Sequence, residues 1–167
     1  SDEKLAEFAR ALEFLPHVKR LRLHTRQPVV LPERVDEALL AWLSRGRLQK
    51  IIVLHVNHAQ ELDRPTVAAI ARLRGTGATL LNQSVLLRGI NDDVHVLAEL
   101  SHALFSAGVL PYYLHALDRV SGTAHFEVAE PRACELIREL SARLPGYLVP
   151  KLAREEAGAP SKRVLAA

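Results

Sequence analysis

Four apolar runs in this 167-residue chain end in side chains equipped for acid–base, hydrogen-bonding or carbonyl chemistry. Arg20-Leu21-Arg22-Leu23 leads into His24, Thr25 and Arg26, and Ile51-Ile52-Val53-Leu54 into His55, Asn57 and His58. Thr79-Leu80-Leu81 leads into Asn82, Gln83 and Ser84, and Leu110-Pro111-Tyr112-Tyr113-Leu114 into His115 and Asp118. In parallel α/β folds ligands sit at the carboxyl ends of the strands, so four apolar strands with polar tips point to one shared rim.

Each tip has two readings. His24 and Arg26 are either solvated loop residues or a grip for an anion, since a guanidinium offers planar paired donors. His55 and His58 suggest a metal pair, but residues three apart on a strand face opposite sides, which favours a hydrogen-bonding role for His55 or Asn57. Asn82, Gln83 and Ser84 either stitch neighbouring strands or read a polar ligand, because buried amides need partners. Asp118 either holds a cation or caps a turn before Gly122. Lys162 reads as a tail lysine by composition. The small residues Gly158-Ala159-Pro160-Ser161 nevertheless leave room for a bulky aldehyde to reach its amine.

The elements that must position these tips are legible from periodicity. Leu5, Phe8, Leu12 and Leu15 mark an amphipathic helix over 2–14, with Ser1 as a candidate N-cap. Strands are expected from about 20, 50, 79, 110 and 146, the last running to 154, and helices over 33–45, 64–74, 93–107 and 129–143. Asp63 and Asp92 are the expected caps of the second and third of these helices. Pro28 is expected to end the first strand. Repeated βα units imply a parallel sheet. The expected fold is α/β, a single domain over 1–167 forming part of a TIM-like barrel. A doubly wound sheet competes, although no glycine-rich phosphate loop follows any strand.

Composition excludes several classes. The chain is 49% hydrophobic and 25% charged, with a net charge of +3 and its basic residues scattered among acids, so no nucleic-acid partner is expected. No apolar stretch approaches the roughly 20 residues that span a bilayer, so a cytoplasmic protein without membrane contact is expected. Cys134 is the one cysteine. It falls at helical spacing with apolar neighbours and reads as a buried structural thiol.

Several long stretches together resemble the lysine 2,3-aminomutase family, radical S-adenosylmethionine enzymes that also use pyridoxal phosphate. They are Leu21-Arg22-Leu23-His24-Thr25-Arg26-Gln27-Pro28-Val29-Val30-Leu31-Pro32, residues 82–92, Pro111-Tyr112-Tyr113-Leu114-His115 and Gly122-Thr123-Ala124-His125-Phe126. Residues 146–155 with Pro160-Ser161-Lys162 look like the branch that makes (R)-β-lysine for elongation factor P. By this resemblance, Lys162 matches the lysine that binds pyridoxal phosphate covalently. Asp118 and Glu155 match the acids that hold the ammonium of L-lysine, and His55 and Gln83 match contacts to S-adenosylmethionine.

The resemblance also implies the chemistry. A [4Fe–4S] cluster cleaves S-adenosylmethionine to a 5′-deoxyadenosyl radical, which removes hydrogen from lysine so that its amino group migrates from C2 to C3. The family's three-cysteine cluster motif and its Gly-Gly-Asp/Glu-Pro motif do not occur in this sequence, and neither do the clostridial zinc cysteines. The chain therefore reads as a C-terminal half that is inactive alone, binds no metal of its own and leaves homo-oligomerisation open. The rival functions are an aminomutase for another amino acid, such as glutamate, and a non-catalytic binding domain.

Overall fold

The computed structural model describes residues 2–118, 122–156, 158, 159 and 161–166. The Ser1 cap and positions 157 and 160 of the lysine loop lie outside the described residues.

Hydrophobic alternation builds the sheet. β1 (Arg20–Thr25), β2 (Gln49–Leu54), β3 (Thr79–Leu86), β4 (Leu110–Ala116) and β5 (Lys151–Arg154) pair in parallel in sequence order. β6 (Arg163–Ala166) closes the order antiparallel to β5. A doubly wound sheet reverses its strand order at a switch point, and this sheet does not. Sequential order is that of a barrel segment, as expected.

The helices are α1 (Asp2–Glu13), the single turn α2 (Gln27–Val30), α3 (Glu37–Leu43), α4 (Arg64–Gly75), α5 (Val94–Ser106) and α6 (Glu130–Ser141). One core joins Leu21, Ile52, Leu54 and Leu80 of β1–β3 to Trp42 and Leu43 of α3, Ile70 and Leu73 of α4, and Leu100 and Leu104 of α5. A second joins Leu114 and Leu152 to Leu97 of α5 and Leu136, Ile137 and Leu140 of α6. These strand residues occupy alternate positions and so share one face. The other face, concave and without helices, takes the alternate set: His24, Val53, Gln83, Val85, Tyr113 and His115.

Four expectations need correction. The helix expected over 33–45 starts later: Pro32–Arg34 form a 3₁₀ turn, and Asp36 caps α3 by accepting from Leu39 N at 2.9 Å. Asp93, not Asp92, caps α5, accepting from His95 N, while Asp92 accepts from Gly89 N in the preceding turn. No strand begins at 146, because Gly146–Leu148 make a 3₁₀ turn before β5. Pro28 does not itself end β1, which stops at Thr25. Thr25 Oγ1 accepts from Gln27 N and opens α2, whose first turn tolerates the missing Pro28 N–H.

Candidate active site

Two side-chain networks shape the rim. On the helix side Asn82, almost fully buried, accepts from Val56 N at 2.9 Å and donates to Val56 O at 3.0 Å and Ser84 Oγ at 2.9 Å. Asn57 accepts from Val85 N, and Asn91 donates to both Asn57 O and Val85 O. Of the run Asn82-Gln83-Ser84, the outer two residues thus stitch β2 to β3, leaving Gln83 on the concave face. Asn57 is likewise structural.

Glu61 ties the first two tips together. It accepts from Asn57 N and His58 N and pairs with Arg26 at 2.5 Å. The expected anion grip of Arg26 is thereby met by a carboxylate of the chain itself. His58 Nδ1 accepts from Gln60 N and caps a 3₁₀ turn. Among the described residues no group of three or more His, Cys, Asp or Glu side chains is arranged to hold a metal ion.

On the concave side the groups converge without satisfying one another. The rings of His24 and His55 stand edge to face, 6.0 Å apart. His55 Nε2 and Gln83 Oε1 are both buried and neither makes a hydrogen bond. Burial lowers the pKa of His55, and His24, Arg26 and Lys162 lower it further. Burial also lowers the pKa of His24, with Arg22 and Lys162 acting the same way. The Gln83 amide is near enough to oppose this, although its oxygen accepts no hydrogen bond in the structure. Unsatisfied buried polar atoms are uncommon, and these two, one just after β2 and one in the neighbouring β3, mark a place for a polar ligand.

Sequence reasoning overlooked a feature of β4. The register shifts between Asn82 and Gln83, pairing Asn82 with Pro111 and Gln83 with Tyr113, so that Tyr112 is the extra residue of a bulge. The Tyr112 and Tyr113 rings lie 4.1 Å apart. Beyond them, the largely buried His115 brings Nε2 to 3.3 Å from Lys162 Nζ. An ammonium there can only donate, so Nε2 accepts and the His115 proton sits on Nδ1. Lys162 also pairs with Glu155 and lies 5.5 Å above the Tyr113 ring. The Lys162 ammonium holds the Glu155 carboxyl below its usual value. Burial and Lys162 push the His115 imidazole down, against the opposing pull of Glu155 and Asp118.

Asp118 and Glu155, separate in sequence, line one cleft of about 280 Å³ with Leu117, Glu127 and Arg154. Three carboxylates and one guanidinium line it, with Arg154 itself paired with Glu130 at 2.7 Å and Glu155 with Lys162. The cleft suits a cation. His55 follows β2, Asp118 follows β4, and Glu155 and Lys162 lie between β5 and β6, whereas Gln83 sits inside β3, which runs on to Leu86 instead of ending at Leu81.

Cys134 lies apart from this rim, half-buried in α6 with Sγ 3.8 Å from Leu165 O. A lone thiol on the helix side does not fit an iron–sulfur cluster, which takes several thiolates. His55 Nε2 and Gln83 Oε1 remain free to hydrogen-bond a polar ligand, and Lys162 offers a primary amine.

The chain is 54% identical over 98% of its length to the L-lysine 2,3-aminomutase of Escherichia coli K12 and 47% identical over 99% to that of Haemophilus influenzae. It is 36% identical over 97% to the enzyme of Clostridium subterminale. The chain spans about half the length of the first two relatives, 48% and 49%. No family model matches it. Among solved structures it is similar to a radical SAM methyltransferase from Sphaerobacter thermophilus (TM-score 0.57, 20% identity, 84% of this chain and 42% of that one). It is also similar to Streptococcus suis SuiB bound to S-adenosylmethionine (TM-score 0.63, 11% identity, 92% and 36%). These likenesses support the fold, a segment of a barrel of parallel βα units. The sequence resemblance to lysine 2,3-aminomutases runs through almost the whole chain.

Proposed function

We infer that this chain belongs to the lysine 2,3-aminomutase family and supplies part of the active site of an enzyme that interconverts L-lysine and (R)-β-lysine. The carrying observation is the adjacency of Lys162 to a carboxylate-lined cleft: Glu155 touches the lysine and shares the cleft with Asp118. An amine for an aldehyde cofactor beside a seat for a cation is the pairing a lysine-handling site requires.

Within that reading each residue has a task. Lys162 holds pyridoxal phosphate through Nζ, and His115 and Glu155 hold the free amine in place for it. Asp118 and Glu155 take the side-chain ammonium of the substrate. His55 Nε2 and Gln83 Oε1, buried and unpartnered, make polar contacts to S-adenosylmethionine. When bound, these cofactors supply the radical and the conjugated system that delocalises it. The chain binds and orients the reacting groups and keeps water from them. Residues 2–166 act as one domain, the later part of the barrel. A [4Fe–4S] cluster needs thiolates from beyond this sequence, so the chain alone makes no β-lysine.

The identity of 54% to the Escherichia coli enzyme against 36% to the clostridial one favours the branch already suggested by residues 146–155. The product then serves elongation factor P modification in the cytoplasm. Among the described residues no helix is long and apolar enough to cross a membrane.

The test uses a protein that carries this chain together with a cluster-binding portion, supplied with reductant and both cofactors. Lysine should be converted to β-lysine and glutamate left unchanged. Turnover of glutamate in place of lysine would overturn the substrate assignment.

A further inference from the structure

The Lys162 ammonium is held from three sides. Glu155 pairs with it, His115 Nε2 accepts from it at 3.3 Å and the Tyr113 ring lies 5.5 Å away. Lys162 in turn pushes the pKa of His24, His55 and His115 downward, and Asp118 opposes it at His115. Glu155 is therefore asked to do two things. It is the counter-ion of Lys162, and it is one of the carboxylates of the cleft that suits a cation. One carboxylate half-exposed to solvent cannot serve both ammonium groups at full strength.

We propose that Glu155 is a counter-ion shared in turn between Lys162 and a substrate cation, so that capture of an aldehyde by Lys162 releases Glu155 to the cleft beside Asp118. This rests on the reading of Lys162 as the cofactor lysine. The chemistry of release balances. The Lys162 ammonium loses one proton to solvent, and the freed lone pair forms a bond to the aldehyde carbon. The carbonyl oxygen leaves as water with the two remaining Nζ protons, and a C=N linkage is left. A tetrahedral ammonium with three N–H donors has become a trigonal nitrogen with one donor at most. With one donor at most, that nitrogen can no longer hold Glu155 and His115 together. Cofactor loading and cation binding are then positively coupled, and by linkage each favours the other.

The coupling is measured without cofactor by following butylammonium binding to the chain by NMR. Lys162→Met, which removes the competing ammonium, should tighten binding about two- to fivefold, the scale of a partly exposed ion pair. Adding Glu155→Gln should abolish that gain. Unchanged or weaker affinity in Lys162→Met would overturn the proposal. So would a gain that persists in Lys162→Met/Glu155→Gln, since it would report only general repulsion between cations. Lys162 and Glu155 both lie outside the two cores, so thermal unfolding of each variant should match the parent.

A parallel reaction of the parent chain with pyridoxal phosphate separates the two failures. Adduct on Lys162 with no tightening in Lys162→Met would remove the coupling and leave the functional reading intact. Adduct on other lysines only would remove the functional reading and the coupling to loading with it.

Discussion

His115 Nε2 lies 3.3 Å from Lys162 Nζ across 47 positions of sequence, joining the tip of β4 to the segment that leads into β6. The contact exists because β4 and β5 are adjacent and parallel while β6 turns back along β5. That return brings Lys162 onto the concave face, among the histidines of the earlier tips.

Burying these histidines has a pH signature. Burial holds His55 and His115 below the ordinary value of 6.5. Between each folded value and 6.5 the unfolded chain binds more protons, so stability rises with pH there and is lost as pH falls from 6.5. Glu155, shifted downward, contributes stability that is lost only below its ordinary value of 4.5, a separate window. The urea midpoint should fall as pH drops from 6.5 toward the Glu155 window at 4.5, and His115→Gln should flatten the fall. A midpoint constant across that range would contradict the burial argument.

Asn82→Ala should destabilise the fold by about 1–3 kcal/mol, because it leaves the buried Val56 N–H without its acceptor, while Val56 O keeps only Ser84 Oγ. Urea unfolding checks the figure, and a loss below about 0.5 kcal/mol would mean the network is slack.

Arg47 clamps the end of α1, donating to Glu13 O, Leu15 O and Val18 O at 2.5–2.9 Å. These carbonyls include ones the helix end leaves without an intrahelical donor. Arg47→Ala should speed amide exchange over residues 5–13 about tenfold while leaving α5 and α6 unchanged. Uniform exchange changes would instead indicate global loss of stability.

His55→Ala and Gln83→Ala should each weaken S-adenosylmethionine binding about three- to tenfold, as loss of one ligand hydrogen bond does. Calorimetry on a protein that carries this chain with its cluster-binding portion provides the measurement. Parent affinity in both variants would place the ligand elsewhere.

Much of this was legible in the sequence because period-2 and period-3.6 patterns report burial, and burial decides α4, α5, α6 and the strands. Asp92 and Asp93 could not be told apart, since both are capping residues and only the loop geometry assigns one to the Gly89 turn and one to α5. β6 escaped notice because Val164 and Leu165 form a short half-exposed edge pairing that alternation does not mark. The division of labour in Asn82-Gln83-Ser84 was open until strand faces were known, although the alternation already implied that Gln83 would differ from its neighbours. The Lys162–Glu155 pair joins residues on either side of a turn, and no residue pattern announces it.

Everything proposed for this site depends on which lysine binds the aldehyde. Pyridoxal phosphate is added to the chain, the product is reduced with borohydride, and the modified peptide is located by mass spectrometry. The expected result is a single dominant adduct on Lys162 that disappears in Lys162→Ala. An adduct of unchanged yield and position in Lys162→Ala, or label spread evenly over exposed lysines, would contradict it.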